Sequence, residues 1–212
     1  MDAIFLDVDG TLWDSREQVA VSWNLALKEC FGYEKNLTAE MLTPLFGKTM
    51  DKIMDALFPE LSEEKKQEVT KACFDYENRY LMEVPGTYYE GIEETLSTLA
   101  KTYPLFIASN CQSGYIEAVL KHLKSADCIR DFLCYGDTGK AKEETILQLM
   151  KKHDLKHPVY VGDTEGDAIS CKKAGIPVIF ASYGLGNMEP EDYIAKIDSL
   201  PELVEVMKKI DR

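Results

Sequence analysis

The chain contains 212 residues, of which 45% are hydrophobic and 29% are charged, as in ordinary soluble globular proteins and unlike disordered ones. Its 37 acidic and 24 basic residues give a formal net charge of −13, which disfavours nucleic acids and anionic membranes as partners. The length allows one large domain, or a medium domain with a smaller insert.

Features of the sequence that report on location favour the cytoplasm. No basic segment precedes the short apolar run at residues 3–6, and no apolar stretch approaches the roughly 18 residues that a membrane span needs. The six cysteines are scattered, with no Cys-x-x-Cys pair, which favours a reducing compartment over a disulfide framework. We therefore expect a cytoplasmic protein that does not span a membrane.

Short apolar runs alternate with helical patterns along most of the chain. Because crossovers between parallel strands are usually helices, this alternation predicts an α/β fold in which helices cover both faces of a parallel sheet. The four clear runs span residues 3–6, 105–108, 159–161 and 178–181, and a weaker run spans residues 132–135.

One segment, from about Asp14 to Met82, interrupts this alternation with helical spacing throughout. Asp14 or Ser15 can cap the start of its first helix, and Gly32 follows the end of that helix. The dipeptide Pro85-Gly86 marks the return to the α/β pattern. We therefore predict an inserted helical subdomain at residues 15–82, within an α/β core formed by residues 1–14 and 83–212.

Two acids, Asp7 and Asp9, follow the first predicted strand in the sequence Asp-Val-Asp-Gly-Thr. Residues two apart in an extended segment point to the same side, and open α/β folds bind ligands at the carboxyl ends of their strands. Gly10 allows a sharp turn there, and Thr11 offers a hydroxyl and an N–H group. The pattern predicts a functional site, with an ordinary Asp-Gly turn capped by acids as the alternative.

Polar residues also follow later predicted strands. Ser109 and Asn110 end the second clear run and are suited to binding a phosphate oxygen, although they could equally cap the helix that begins near Gly114. Lys142 precedes a predicted helix and could place a positive charge on an anion. The alternative is a solvated surface lysine, and Lys140 could play the same part.

A second acidic pair, Asp163 and Asp167, lies in the sequence Gly-Asp-Thr-Glu-Gly-Asp after the third clear run. With Asp7 and Asp9, four carboxylates would then meet at one edge of the sheet. Since like charges at such a site push one another toward protonation, a divalent cation together with a lysine is needed to keep them ionised. Carboxylate oxygens without histidine or cysteine favour Mg²⁺.

The order of these motifs resembles that of the haloacid dehalogenase superfamily of phosphohydrolases. The four motifs are Asp-x-Asp-Gly-Thr, then Ser-Asn, then Lys, then Gly-Asp-x-x-x-Asp. The chain is most similar to the phosphoglycolate-phosphatase-like branch, which inserts a helical cap between the first two strands, and residues 181–186 resemble a late loop of that branch. The resemblance implies a Rossmann-like α/β core with an all-helical cap, and it covers nearly the whole chain.

The resemblance also implies a role for each matching residue. Asp7 would be the nucleophile that becomes an aspartyl-phosphate, and Asp9 would be the general acid and base, with its main-chain carbonyl on the metal. Asp167 would hold a metal-bound water or orient the ligands. In full, the phosphate-binding residues would be Thr11, Ser109, Asn110 and Lys142, and the Mg²⁺ residues would be Asp7, Asp9, Asp163 and Asp167.

Two lysines match the pattern less closely than the other residues do. The third motif lacks the proline that many relatives carry after the lysine, but its register to the following helix favours Lys142 over Lys140. In the cap, relatives often place a basic residue near a glycine, which makes Lys48 in Phe-Gly-Lys-Thr a candidate specificity residue. A solvated lysine at a helix start is an equal alternative for Lys48.

The resemblance implies a Mg²⁺-dependent phosphatase that acts on a small phosphorylated metabolite, such as a phosphoglycolate-like monoester. The alternatives are a sugar phosphomutase similar to β-phosphoglucomutase and a non-catalytic module that binds a phosphate ligand. The expected partner is a small phosphate ester, with no nucleic acid and no membrane, and the chain is expected to be a monomer or a homodimer.

Overall fold

A six-stranded parallel sheet forms the centre of the molecule, which we describe from a computed structural model that covers residues 1–211. The chain order of its strands is β1 (Ile4–Leu6), β4 (Leu105–Ser109), β5 (Ile129–Cys134), β6 (Val159–Gly162), β7 (Val178–Ala181) and β8 (Ala195–Ile197). Across the sheet the order is β5-β4-β1-β6-β7-β8. The fold is therefore the α/β class that the alternation of apolar runs predicted.

Strand β1 occupies the middle of the sheet and is fully buried. It pairs in parallel with β4 on one side and with β6 on the other, so that Leu6 lies opposite both Ile107 and Val161. Strands buried on both faces have apolar residues at every position, which explains the continuous runs in the sequence. The carboxyl ends of β4, β1 and β6 consequently lie side by side.

Helices cover the two faces of this sheet, each with its own hydrophobic cluster. Ile4 and Leu6 of β1 belong to one cluster, and Ala3 and Phe5 belong to the other, because alternate residues of a strand point to opposite faces. The helices of the core are α5 (Ile92–Leu99), α6 (Tyr115–His122), α7 (Tyr135–Thr138), α8 (Lys142–His153), α9 (Glu165–Ala174) and α10 (Glu202–Ile210).

The segment between β1 and β4 forms a helical cap with a separate hydrophobic cluster. Trp23, Leu27, Met54, Val69 and Cys73 are among the buried members of that cluster. The cap helices are α1 (Arg16–Phe31), α2 (Ala39–Leu42), α3 (Met50–Leu57) and α4 (Glu63–Glu83), and a single 3-10 turn spans Thr43–Leu45.

Two short strands, β2 (Trp13–Asp14) and β3 (Thr87–Tyr88), join the cap to the core. They pair in an antiparallel direction, which places the two linking segments side by side. At Gly86 the backbone passes so close to this pair that a Cβ atom would lie 2.9 Å from the carbonyl oxygen of Asp14. A glycine is therefore required where the chain returns from the cap.

The structure differs from the sequence-based prediction at some element boundaries. Helix α4 continues to Glu83, one residue beyond the predicted cap. Residues 132–134 of the weak run are the end of a longer strand that begins at Ile129, and Tyr135 begins α7. Strands β2, β3 and β8 were not predicted. Within residues 1–211, no helix combines the length and the apolar character that crossing a membrane requires.

Candidate active site

The polar residues that follow β4, β1 and β6 meet at one edge of the sheet. Asp7 directly follows β1, and its main-chain N–H donates to the carbonyl oxygen of Val161 in β6 at 2.9 Å. Ser109 is the last residue of β4, and Asp163 directly follows β6. All three residues are buried. The parallel register of the three strands therefore positions this group of side chains.

Lys142, the first residue of α8, extends its buried side chain into this group. Its Nζ lies 3.0 Å from Oδ2 of Asp7 and 2.5 Å from Oδ1 of Asp167. Burial by itself lowers the pKa of Lys142, but the charges of Asp167 and Asp7 outweigh burial and raise the pKa overall, so the lysine is a cation. Lys140 instead is exposed and pairs with Glu144 at 3.7 Å.

Three buried carboxylates, those of Asp7, Asp163 and Asp167, each offer one oxygen within 4.8 Å of the others. Burial raises the pKa of Asp7 to about 7, against the opposing charge of Lys142. Burial, together with the charges of Asp167 and Asp7, raises the pKa of Asp163 to about 8. A single lysine therefore does not neutralise the cluster, and a further cation would stabilise its ionised form.

The donor atoms of the cluster fit a hard divalent cation such as Mg²⁺. Oδ1 of Asp7 and Oδ1 of Asp163 are buried and have no hydrogen-bond partner within residues 1–211. An unsatisfied buried carboxylate oxygen is costly unless a cation or a water completes it, and an all-oxygen donor set is the one that Mg²⁺ prefers. The residues present therefore fit the metal that the sequence predicted.

Asp167 differs from the other two acids because both of its oxygens already have partners. Oδ1 contacts Lys142, and Oδ2 accepts hydrogen bonds from the main-chain N–H of Thr164 at 3.0 Å and from its hydroxyl at 2.7 Å. Thr164 is the N-cap of α9, so the acid and the start of the helix hold each other in place. This arrangement is suited to an orienting role rather than to direct binding of the metal.

Asp9 does not direct its carboxylate into the cluster, which differs from the prediction that four carboxylates share one edge. Its Oδ1 accepts hydrogen bonds from the indole of Trp13 at 3.1 Å, the hydroxyl of Ser15 at 2.9 Å and the phenol of Tyr115 at 2.6 Å. The backbone turns at Gly10, whose N–H donates to the carbonyl of Trp13, so the strand alternation ends before Asp9. Burial raises the pKa of Asp9 to about 6, against these hydrogen bonds.

Glycines bring two loops against Asp163. A Cβ atom at Gly10 would lie 2.0 Å from Oδ2 of Asp163, and one at Gly184 would lie 2.3 Å from its Cβ. The close approach allows the main-chain N–H groups of Leu185 and Gly186 to donate to Oδ2 of Asp163 at 2.7 and 3.2 Å. These bonds leave Oδ1 of Asp163 as the available oxygen.

The remaining residues with predicted phosphate contacts lie at the same edge. Thr11 is fully buried, and its hydroxyl has no partner in the described part of the chain. Ser109 lines the cavity above Asp7 together with Asn110. The side-chain amide of Asn110 donates to the carbonyl of Gly47 at 2.9 Å, so this residue also links the core to the cap.

A cavity of about 610 Å³ lies between this edge of the sheet and the cap. Asp7, Asp9 and Ser109 line its floor, and most of the remaining lining comes from α1, α3, α4, the loop at Gly47 and the core segments that follow β4 and β5. Lys48, the predicted specificity residue, also lines the cavity but is exposed. The cavity is therefore the space in which the part of a ligand beyond its phosphoryl group would lie.

Several residues at this site carried no signal in the sequence. Trp13, Ser15 and Tyr115 contact Asp9, and Glu77 in α4 is only 3% exposed on the cavity wall. Their positions in the sequence are those of ordinary helix or linker residues. Only the folded arrangement of cap and core brings them to the site.

Comparison with known proteins assigns the chain to a family. The model of the haloacid dehalogenase-like hydrolases matches residues 4–181. Phosphoglycolate phosphatase of Vibrio vulnificus is 27% identical, and the match covers 96% of this chain and 95% of that protein. Phosphoglycolate phosphatase of Aquifex aeolicus is 25% identical, with 97% of both chains covered.

Solved structures share the fold at lower identity. A hydrolase of the haloacid dehalogenase-like family from Streptococcus pneumoniae matches with a TM-score of 0.82 and 20% identity, and 98% of each chain is covered. CbbY of Rhodobacter sphaeroides in complex with phosphate matches with a TM-score of 0.80 and 18% identity, and 96% of each chain is covered.

Fold, site and family model define a hydrolase with a capped α/β core. The chain belongs to the haloacid dehalogenase-like hydrolases, and it is an enzyme similar to the phosphoglycolate phosphatases along almost its entire length.

Proposed function

We propose that this enzyme is a Mg²⁺-dependent phosphatase that hydrolyses small phosphomonoesters through an aspartyl-phosphate on Asp7. One observation carries the proposal: Asp7 is a buried carboxylate with one oxygen held by Lys142 at 3.0 Å and the other without a partner in the described structure. The contact with Lys142 fixes the carboxylate of Asp7 at the floor of the cavity. A carboxylate held there is suited to attack a phosphorus atom above it.

The first step forms a bond between one carboxylate oxygen of Asp7 and phosphorus and breaks the bond between phosphorus and the leaving alkoxide, while the other oxygen of Asp7 would stay available to the metal. Asp9 donates its proton to that alkoxide. Lys142 offsets the charge that Asp7 and the phosphoryl group carry, and Ser109 and Asn110 bind phosphoryl oxygens. Thr11, with its buried and unpaired hydroxyl, is placed to assist them.

In the second step, Asp9 takes a proton from a water molecule, and that water attacks phosphorus and releases phosphate from Asp7. A pKa of about 6 allows Asp9 to serve both as acid and as base near neutral pH. Asp7, Asp163 and the main-chain carbonyl of Asp9 would hold Mg²⁺, with Asp167 orienting this set. The bound ion would supply charge that stabilises the transferring phosphoryl group.

In this proposal, the cap favours small substrates. Residues 15–82 would form a subdomain that moves on the paired links β2 and β3, and closure would exclude water from the phosphoryl group. Lys48 would then contact the outer part of the leaving group. Because its side chain is exposed, water and salt screen its charge, and we expect a modest effect on specificity.

A panel of phosphate esters, assayed with Mg²⁺ and with EDTA, tests the proposal. We expect release of inorganic phosphate from small esters in Mg²⁺ and loss of that release in EDTA. Absence of phosphate release from every ester, or full activity after exhaustive chelation, would contradict it.

A further inference from the structure

Glu77 is a buried acid that the proposed chemistry does not use. It lies in α4 of the cap, is 3% exposed, and lines the same cavity as Asp7 and Asp9. Burial raises the pKa of Glu77 to about 7, against hydrogen bonds from Gln112 and Trp23, and the charge of Asp9 raises the pKa further. A buried carboxylate is rare unless it is paired with a cation.

No cation compensates Glu77 within the described residues. Its Oε1 accepts from the side-chain amide of Gln112 at 2.9 Å, and its Oε2 accepts from the indole of Trp23. Both donors are neutral. A carboxylate has about four acceptor positions, so two remain for a group inside the cavity.

The lysines that line the cavity do not cancel this charge. Lys66 is engaged by Asp55 at 2.5 Å and by Glu63 at 2.9 Å. Lys48 and Lys71 are exposed, and solvent screens their charges. A charge in a buried position acts more strongly on a ligand than these screened ones. A ligand group that lies beside Glu77, away from Lys142, therefore meets the charge of the Glu77 carboxylate.

We propose that Glu77 is a specificity-determining residue that accepts a hydrogen bond from a hydroxyl or ammonium group of the leaving alcohol and disfavours leaving alcohols that end in a carboxylate. The inference rests on the proposed phosphatase function, because the phosphoryl group must occupy the floor at Asp7 for the leaving group to extend toward the cap. It narrows the substrate class to phosphomonoesters of hydroxylated or amino alcohols, and so departs from the phosphoglycolate-like monoester that the sequence resemblance implied.

Matched esters that differ in one group test this inference. The first set is 2-hydroxyethyl phosphate, 2-aminoethyl phosphate and 2-phosphoglycolate, and the second is glycerol 3-phosphate and 3-phosphoglycerate. We expect kcat/KM at pH 8 in Mg²⁺ to favour the members without a carboxylate by about tenfold or more. The hydroxyl and amino members of the first set distinguish the two kinds of donor.

The variant Glu77→Gln removes the charge and keeps the size of the side chain. We expect it to reduce that preference by about tenfold or more, chiefly through faster hydrolysis of the carboxylate-bearing esters. The control is Asn78→Ala. Oδ1 of Asn78 accepts a hydrogen bond from the side-chain amide of Gln112 at 3.1 Å, as Glu77 does, but its loss does not change the charge of the cavity. This control should change kcat/KM for all the esters by a similar factor.

Two results would overturn the role of Glu77: a wild type that shows no preference against the carboxylate-bearing esters, or a preference that Glu77→Gln leaves unchanged. The wild-type preference needs no variant, so it tests the inference even if Glu77→Gln melts below the assay temperature. If the proposed phosphatase function itself were wrong, the result would be different, because no ester would then release phosphate in Mg²⁺.

Discussion

At Asp7, burial and the charge of Lys142 act in opposite directions on one carboxylate. Burial dominates, and the same is true at Asp163, so without a bound metal ion a large fraction of each acid is protonated near neutral pH. The ordinary pKa of these groups is 3.8, and the folded protein raises it to about 7 and about 8, respectively. Because these pKa values are raised, the stability of the folded protein depends on pH and on bound metal.

A carboxyl group with a raised pKa binds more protons in the folded state than in the unfolded state. Its contribution to stability is present below the unfolded pKa and is lost as the pH rises toward the folded pKa. In EDTA, the melting temperature should therefore fall between about pH 4 and about pH 8. Mg²⁺ should raise the melting temperature more at pH 8 than at pH 5, because protons compete with the metal for the carboxylates.

Thermal melting in EDTA and in Mg²⁺ at the two pH values checks this prediction. Asp163→Asn is the control, since it lacks one titrating group and one metal ligand. We expect this variant to show a weaker dependence on pH and a smaller shift with Mg²⁺. A shift with Mg²⁺ of equal size at pH 5 and pH 8 in the wild type would contradict the assignment of the cluster.

At the scale of elements, the loop at residues 184–186 determines where Asp163 points. A methyl group at Gly184 would lie 2.3 Å from Cβ of Asp163 and 2.4 Å from the carbonyl oxygen of Gly10. Neither neighbour is the end of a flexible side chain. Gly184→Ala must therefore displace the loop and with it the two N–H groups that bind Asp163.

We expect Gly184→Ala to reduce kcat by about tenfold or more while the protein remains folded. The matched control is Gly166→Ala in α9, where the nearest atom to an added Cβ is the Thr164 hydroxyl at 3.4 Å. Because alanine favours a helix by about 1 kcal/mol over glycine, this control should melt no lower than the wild type. Steady-state kinetics decide the matter: equal activity of the two variants would show that the loop does not position Asp163.

The main elements were predictable because local patterns in the sequence carry their signal. Strand β1 and its neighbours are buried on both faces, and Ser15, Gly32 and Ser62 lie at the helix ends where the spacing of apolar residues changes. Strand β8 was missed because only one of its three residues is buried, so it has no apolar run.

The candidate site was predictable to the extent that its residues follow strands. Asp7, Ser109 and Asp163 lie where parallel strands end, and Lys142 begins the next helix. The orientation of Asp9 was not predictable, because it depends on Tyr115, which is 106 residues away in the chain. Glu77 depends in the same way on Gln112, a core residue that meets the cap only in the folded protein.

At the scale of the whole molecule, we expect the cap to limit which phosphate esters reach Asp7. The cavity of about 610 Å³ is bounded by α3 and α4, and Asn110 ties the cap loop at Gly47 to the core. A small ester fits beneath this cover, whereas a phosphorylated loop of a protein would have to displace it. We therefore expect metabolites rather than phosphoproteins to be the better substrates.

We expect kcat/KM for a phosphoserine peptide to be lower than that for the best small ester by about 100-fold or more, since the peptide must hold the cap open. Free phosphoserine is the matched control, because it carries the same phosphoryl group without the flanking chain. Similar values for the peptide and the free amino acid would show that the cap does not restrict access.

The central claim is that Asp7 carries the phosphoryl group during turnover, and a rapid acid quench of the enzyme with a ³²P-labelled ester tests it most directly. We expect label on the peptide that contains Asp7 in the wild type. In a folded Asp7→Asn variant, we expect no label and a fall in turnover on the order of 10³-fold or more. Label on a different residue, or comparable turnover by Asp7→Asn, would contradict the account.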